Sequence, residues 1–141
     1  MKGMNRRSTL ALGLSATTAP LFAFATPAGA AVPAYGPNDG KELVPGVRLV
    51  ELGTFNSDIP AYKSIFMVDI VFQPGAVFPE TPMDNDMVCQ IMAGEFKIKK
   101  ADKEFTLKEG EMYTCAKGKT DGNTNTSAVV GIHRVAILMP A

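Results

Sequence analysis

Apolar and polar residues alternate along the chain, or form short apolar blocks separated by turn residues, from Val47 onward. No stretch keeps a helical period, so the pattern predicts an all-β protein. The predicted turns between strands are Pro74-Gly75, Ala93-Gly94, Ala101-Asp102 and Glu109-Gly110, and the glycine- and asparagine-rich segment 117–125 is predicted to be a loop. The predicted strands are Val47–Leu52, Lys63–Phe72, Met87–Met92, Glu95–Lys100, Glu104–Leu107, Glu111–Cys115 and Ile132–Met139.

The predicted strand Lys63–Phe72 is apolar on both faces. One face carries Phe66, Val68, Ile70 and Phe72, and the other carries Ile65, Met67, Asp69 and Val71. A strand with this pattern is covered on both sides. The inner cover is the core of the domain. The outer cover is either a second subunit, which would make the protein a homodimer, or the N-terminal segment.

The number of short strands favours a closed architecture. Antiparallel strands in about 100 residues hide their edges by closing on themselves or by packing as two sheets, and a small jelly-roll barrel does both. The full length of 141 residues fits one such domain. The predicted organisation is a signal peptide over residues 1–30, a flexible leader over residues 31–45, and a β-barrel domain over residues 46–141.

The first 30 residues have the pattern of an export signal, in which basic residues precede an apolar stretch and small residues follow it. The pair Arg6-Arg7, with Leu10 three places later, is typical of a twin-arginine signal, whereas Thr9 keeps the unfolded-chain export route open. The apolar stretch is too short to span a bilayer comfortably. We therefore predict a periplasmic or secreted protein with no membrane attachment once the signal is removed.

The charge of the chain argues against a nucleic-acid partner. The chain has 14 basic and 14 acidic residues, and loss of residues 1–30 removes three basic residues and no acidic ones, which leaves a formal charge of about −3. Lysines between Lys97 and Lys119 are interleaved with acidic residues, as on a solvated hairpin surface. The sequence therefore predicts no nucleic-acid binding.

Glycine landmarks within residues 75–125 resemble the two sequence motifs of the cupin family. Gly75 and Gly94 stand at the two ends of the first motif, at its usual spacing. Gly110, Gly118 and Asn125 fall at the spacing of the second motif. The resemblance implies a cupin β-barrel of the RmlC-like kind over most of the mature chain. It also implies a divalent metal held by three histidines and a glutamate.

The chain lacks the residues that hold this metal. Thr81, Met83 and Asp121 occupy the histidine positions of the two motifs, and Met87 occupies the glutamate position. A hydroxyl, two thioethers and one carboxylate are not the nitrogen and oxygen donors that a borderline divalent ion prefers. The sequence therefore predicts no metal and no cofactor at the usual cupin site.

A soft-metal site is an alternative, because thioethers favour Cu(I). Met87 and Cys89 share one face of a predicted strand, since side chains alternate with period two. In the last strand His133 lies on the face opposite Arg134 and is predicted to point into the barrel. These side chains, together with Met83, either bind a metal such as copper or pack as ordinary barrel interior.

The two cysteines, Cys89 and Cys115, leave three alternatives open. They form a disulfide if their strands bring the Cα atoms within about 7 Å of each other. Otherwise they are free buried thiols or metal ligands. The acidic segment from Glu80 to Asp86 is either a solvated loop or a site for a hard cation such as calcium, although it lacks the pattern of a dedicated calcium loop.

Three functions are compatible with this pattern. The first is a small-molecule binding protein with an apolar, Met-lined barrel pocket. The second is a metal-independent isomerase or lyase that uses His133, Asp121 and Tyr113 for acid–base chemistry, with Glu80 nearby. The third is a periplasmic copper-binding protein. No residue is assigned a catalytic role, and the candidate ligand-binding residues are Thr81, Met83, Met87, Cys89, Tyr113, Asp121 and His133.

Overall fold

The structure, a computed structural model, describes residues 32–141, and this part of the chain is all-β. The strands form a six-stranded antiparallel sheet in the order β1-β2-β3-β10-β5-β8 and a four-stranded antiparallel sheet in the order β4-β9-β6-β7. This arrangement confirms the predicted jelly-roll class. The strands are β1 (Lys41–Val44), β2 (Val47–Asn56), β3 (Tyr62–Phe72), β4 (Val77–Pro82), β5 (Asp86–Ala93), β6 (Glu95–Lys100), β7 (Lys103–Lys108), β8 (Met112–Cys115), β9 (Thr120–Asn125) and β10 (Gly131–Pro140).

All seven predicted strands are present, and the structure adds β1, β4 and β9. β1 lies inside the predicted leader and pairs with β2, with Lys41 opposite Leu49. The prediction of a loop over residues 117–125 is wrong from Thr120 onward, where β9 pairs with both β4 and β6. The predicted signal peptide, residues 1–30, lies outside the described residues.

The core consists of two clusters of buried side chains. Phe72 and Phe96 are fully buried in the first cluster, where their rings meet edge to face with centroids 4.9 Å apart. The second cluster is built on Val68, Cys89 and Val135 from the three central strands β3, β5 and β10. Aromatic packing therefore fills the first cluster, whereas smaller side chains form the second.

The glycines that mark the two motifs have backbone conformations that favour glycine. The φ angles are +76° at Gly75, +84° at Gly94, +88° at Gly110 and +79° at Gly118. At Gly94, in the turn between β5 and β6, a Cβ atom would also lie 3.0 Å from the Ser127 Oγ atom and 3.1 Å from a neighbouring Cα atom. The motif spacing thus records turns of the barrel, which do not depend on any metal ligand.

The outer face of β3 is covered in part by the N-terminal segment, which is one of the two predicted alternatives. Asp69 is fully buried there. Arg134 on β10 donates two hydrogen bonds to the Asp69 carboxylate at 2.8 and 2.9 Å, and Tyr35 donates a third at 2.6 Å. Burial and the hydrogen bond to Asp69 raise the pKa of Tyr35 to about 12. Asp69 therefore fixes residues near Tyr35 against the sheet.

Cys89 and Cys115 are both buried free thiols on adjacent strands. Met87 is opposite Cys115 and Tyr113 is opposite Cys89, so the two cysteines are diagonal neighbours on the inner face of the sheet. Burial raises the pKa of both thiols. Within residues 32–141 no helix is long and apolar enough to cross a membrane.

Candidate functional site

A cavity of about 130 Å³ lies in the barrel next to the second core cluster and is partly open to solvent. Ten of its lining residues are apolar or sulfur-containing, and three are polar. The polar ones, Asp121, Asn123 and His133, supply all the charged and hydrogen-bonding side chains of the wall. The remaining lining residues are Leu43, Leu49, Val68, Ile70, Phe78, Met83, Met87, Cys89, Val135 and Ile137.

Strand periodicity positions this wall. Met87 and Cys89 both line the cavity, as expected for residues two apart on β5. His133 lines the cavity from β10, while Arg134 bonds to Asp69 on the outer face, which confirms the predicted orientation of the two residues. Asp121 and Asn123 are two apart on β9 and complete the polar part of the wall.

The polar side chains form one hydrogen-bonded cluster with Tyr113. The Tyr113 hydroxyl donates to Asp121 Oδ2 at 2.7 Å and lies 3.2 Å from His133 Nε2. The Asn123 amide nitrogen donates to the Tyr113 oxygen and to Asp121 Oδ1, both at 3.1 Å. Burial raises the pKa of the Asp121 carboxyl, against the hydrogen bond from Tyr113 that lowers it. Burial, with the charge of Asp121 and the hydrogen bond to it, also raises the pKa of Tyr113.

His133 is held as a neutral ring inside the barrel. Only 3% of the residue is exposed, and its ring stacks on Tyr113 with centroids 5.6 Å apart and planes 3° from parallel. Burial lowers the pKa of His133 to about 4. Among residues 32–141 no group hydrogen-bonds to its Nδ1 atom. Every fully enclosed side-chain nitrogen or oxygen in this part of the chain has a hydrogen-bond partner, so Nδ1 is not fully enclosed. The Nδ1 atom is therefore accessible from the cavity.

The burial of His133 predicts a loss of stability in mild acid. Its pKa falls from 6.5 in the unfolded chain to about 4 in the folded one, so the unfolded chain takes up the proton first. The contribution is fully present above pH 6.5 and is lost as the pH falls towards 4. We expect the protein to lose about 2 kcal/mol more than a His133→Phe variant between pH 8 and pH 5.

Urea unfolding at the two pH values measures this difference. The variant keeps an aromatic ring beside Tyr113 but has no titrating group, so contributions from other residues cancel in the comparison. An equal pH dependence in both proteins would show that His133 is charged or solvated in the folded state.

Of the seven predicted ligand-binding residues, five line the cavity and two do not. Met83, Met87, Cys89, Asp121 and His133 line the cavity. Tyr113 lies behind the wall and contacts it through Asp121 and His133. Thr81 is not a lining residue, because its hydroxyl donates to the carbonyl oxygen of Pro79 at 2.8 Å.

Glu80 was predicted near the acid–base residues, whereas Asn123 was not predicted. The charge of Glu80 acts on Asp121, while its carboxylate accepts hydrogen bonds from Thr120 at 2.6 Å and from the Ala101 amide at 2.8 Å. These hydrogen bonds lower its pKa. Asn123 was not predicted, although the alternation of Asp121, Asn123 and Asn125 with period two is the signal that places all three on one face of a strand.

The usual cupin metal does not fit the residues of this chain. Both carboxylate oxygens of Asp121 already accept hydrogen bonds, and Thr81 is turned to the backbone. In the part of the chain that the structure describes, no three His, Cys, Asp or Glu side chains form a group that could hold a metal ion. In the acidic segment predicted as a calcium candidate, Asp86 accepts hydrogen bonds from the Tyr62 hydroxyl and from the Lys117 amide, both outside the segment.

Comparison with known proteins supports the fold. No protein-family model matches the chain, and no curated protein matches it. KdgF from Halomonas sp. matches with a TM-score of 0.58 and 15% identity, over 71% of this chain and 87% of that chain. An RmlC-like cupin from Shewanella frigidimarina matches with a TM-score of 0.58 and 20% identity, over 77% of this chain and 89% of that chain.

A third similar structure is the cupin domain of an XRE family transcriptional regulator from Enterobacter cloacae. It matches with a TM-score of 0.57 and 18% identity, over 68% of this chain and 99% of that chain. At these identities the similarities show the fold alone. The chain has the cupin fold that its glycine landmarks predicted, and the geometry of its own cavity must indicate its function.

Proposed function

We propose that the protein is an exported cupin-fold protein that binds a compact, mostly apolar small molecule carrying one hydrogen-bonding group. The observation that carries this proposal is the cavity, whose wall is apolar except where Asp121, Asn123 and His133 meet. Small-molecule sites commonly combine an apolar wall with a few polar groups that fix orientation. The proposed location, periplasmic or secreted, rests on the sequence pattern of residues 1–30.

The size of the cavity restricts the ligand. An engineered apolar cavity of about 150 Å³ in another protein holds a benzene molecule. The cavity here is of similar size, at about 130 Å³, and is partly open. It therefore suits a single ring or a short branched chain, with any larger substituent extending through the opening. A sugar would leave many hydroxyl groups against Leu49, Val68 and Ile137 without partners.

The polar part of the wall has two free hydrogen-bonding atoms. His133 Nδ1 has no partner among the described residues, as shown above. The Asn123 amide nitrogen donates to two groups, while its Oδ1 atom has no partner within residues 32–141. A neutral hydroxyl of the ligand that hydrogen-bonds to these atoms replaces a water molecule there. A charged ligand group would instead lose its hydration in an apolar cavity. We infer that the ligand is neutral.

Phenol binding tests the proposal, because phenol has the size and the single hydroxyl that the cavity suits. We expect the protein to bind phenol about fivefold more tightly than toluene, since one hydrogen bond contributes about 1 kcal/mol. Val68→Phe narrows the cavity and is expected to weaken both ligands more than tenfold. Val129→Phe, at a residue with 57% exposure, adds the same ring outside the cavity and is expected to change neither affinity. Calorimetry on each purified protein measures these affinities.

A second variant covers the case in which Val68→Phe does not fold. His133→Phe keeps a ring at the polar end and removes the Nδ1 atom, so we expect toluene to bind as before while the preference for phenol disappears. Absence of binding by both ligands in the folded wild-type protein would overturn the proposal. A stoichiometric copper ion in protein purified from the exported compartment would also overturn it, in favour of the predicted copper site at Met83, Met87, Cys89 and His133.

A further inference from the structure

We infer that Asp121, Tyr113 and His133 form a proton relay, in which a ligand proton taken up at His133 Nδ1 is balanced by a proton delivered to the Asp121 carboxylate. The inference rests on the proposed ligand site and deepens it, because it states which ligand groups the site takes and what chemistry it performs on them. It corresponds to the acid–base alternative that the sequence left open.

The three groups are connected in the order that a relay requires. The Tyr113 oxygen is 2.7 Å from Asp121 Oδ2 and 3.2 Å from His133 Nε2, so it lies within hydrogen-bonding distance of both. The Asn123 amide donates to the Tyr113 oxygen and to Asp121 Oδ1 in a fixed direction, and it therefore holds the two acceptors in place. The opposite ring nitrogen, His133 Nδ1, is the end of the relay that faces the cavity.

This geometry permits two proton arrangements, each with all hydrogen bonds satisfied. When Asp121 is ionised, the Tyr113 hydroxyl donates to Asp121 and His133 Nε2–H donates to the Tyr113 oxygen, which leaves Nδ1 as an acceptor. When Asp121 is protonated, its hydroxyl donates to the Tyr113 oxygen and the Tyr113 hydroxyl donates to Nε2, which leaves Nδ1–H as a donor. Asn123 donates to the Tyr113 oxygen in both arrangements.

Through the relay, His133 can act as a base while its ring stays neutral. A buried imidazolium is costly because it has no partner carboxylate in contact. Transfer from the ligand to Nδ1 is accompanied by transfer from Nε2 to the Tyr113 oxygen and from the Tyr113 hydroxyl to Asp121. In total, the ligand loses a proton and becomes an anion, and the Asp121 carboxylate becomes a carboxylic acid. The His133 ring and the Tyr113 side chain are neutral before and after the transfer. No further reactant is required.

Few other charges face Asp121. Lys100 on β6 lies over the Tyr113 ring, with its Nζ atom 5.3 Å from the ring centroid, and favours the ionised carboxylate. Glu80 on β4 opposes ionisation but is 3.7 Å from Lys99 in an ion pair. The thiols Cys89 on β5 and Cys115 on β8 are protonated because burial raises their pKa values. The relay is therefore governed by one carboxyl group.

The relay predicts that the ligand preference of the cavity depends on Asp121. With Asp121 ionised, Nδ1 accepts, and the cavity favours a ligand with an O–H or N–H donor such as phenol. With Asp121 protonated, Nδ1–H donates, and the cavity favours an acceptor of similar size such as cyclohexanone. Toluene has neither group and provides the control.

Nitrogen NMR of the His133 ring tests the relay without any ligand. In the folded wild-type protein we expect the Nε2–H tautomer while Asp121 is ionised and the Nδ1–H tautomer once Asp121 has taken up its proton. Asp121→Asn removes the titrating group and places an NH2 donor opposite the Tyr113 oxygen, because its amide oxygen accepts from Asn123. It therefore imitates the protonated carboxyl, and we expect the Nδ1–H tautomer throughout. Tyr113→Phe keeps the stacked ring but breaks the connection, so the tautomer is expected to stop following Asp121.

A tautomer that ignores pH in the wild-type protein, or that still follows Asp121 in Tyr113→Phe, would overturn the relay. The second measurement is affinity, and we expect cyclohexanone to gain about fivefold relative to toluene when Asp121 takes up its proton, with no pH-dependent gain in Asp121→Asn. Because the NMR measurement uses the free protein, failure of phenol to bind would count against the proposed function alone, and a fixed tautomer with phenol bound would count against the relay alone.

Discussion

Replacing Asn125 with aspartate is expected to destabilise the fold by about 4 kcal/mol. Asn125 is fully buried at the end of β9. Its amide nitrogen lies 3.2, 3.3 and 2.8 Å from the carbonyl oxygens of Phe72, Gln73 and Val129, and its Oδ1 atom accepts two hydrogen bonds from Ser127. A carboxylate would face the three carbonyl oxygens with no proton to donate, so the buried charge would have repulsion in place of hydrogen bonds.

Urea unfolding at neutral pH measures this effect. Asn56→Asp makes the same chemical change at an exposed position on β2 and is expected to shift stability by less than about 0.5 kcal/mol. An Asn125→Asp variant as stable as Asn56→Asp would show that the motif asparagine is not the residue that ties β9 to the β3–β4 turn and to the segment before β10.

Replacing Arg134 with methionine is expected to cost about 3 kcal/mol, because it leaves the fully buried Asp69 carboxylate with Tyr35 as its main partner. The Arg134 side chain is 26% exposed, so the loss of its own charge contributes less to the destabilisation than the loss of the ion-pair partner of the buried Asp69 carboxylate. The same change at Lys97, an exposed lysine on β6, removes one positive charge from the surface and is expected to have little effect.

A double variant distinguishes the effect of an unpaired Asp69 charge from the loss of the whole ion pair. Asp69→Val combined with Arg134→Met removes both charges, and we expect it to recover most of the stability lost by Arg134→Met. Tyr35→Phe alone is expected to loosen the N-terminal segment with a smaller loss, measurable by hydrogen exchange of the β3 amides. A double variant no more stable than Arg134→Met would show that Asp69 is not the cause of the destabilisation.

The motif landmarks and the motif ligands of this chain have separate physical origins. Gly75, Gly94, Gly110 and Gly118 have positive φ angles, and Asn125 bonds three backbone carbonyls, so all five serve the backbone of the barrel. Of the side chains at the ligand positions, Met83, Met87 and Asp121 line the cavity, and Thr81 bonds to its own backbone. A barrel can therefore keep its landmarks after its metal ligands have been replaced, because the turns do not need the metal.

Much of the fold could be predicted because the strands concerned carry their own pattern. The central strand β3 has seven apolar residues among the eight from Ile65 to Phe72, and β10 has six among the eight from Ile132 to Met139. Gly75 follows β3, and Gly131 begins β10. β9, with the sequence TDGNTN, has the composition of a turn. Its polar residues form a strand because partners from β4, β6 and β8 satisfy them, and those partners are distant in sequence.

The candidate site was only partly predictable for the same reason. Period two correctly grouped Met87 with Cys89 and separated His133 from Arg134. It gave no means of knowing that Thr81 would turn to its own backbone, or that Tyr113 would connect Asp121 to His133. Side-chain direction within a strand is local, whereas hydrogen-bond partners are chosen across strands.

The sequence by itself determined the all-β class, the positions of the main strands and turns, and the loss of the usual metal ligands, because each of these depends on residue type and spacing along the chain. The tertiary structure decided that the replaced positions border an apolar cavity, that its polar end is a connected cluster, and that a buried ion pair holds the N-terminal segment. These features depend on which strands pair and on which side chains then become buried together, and sequence spacing does not contain that information.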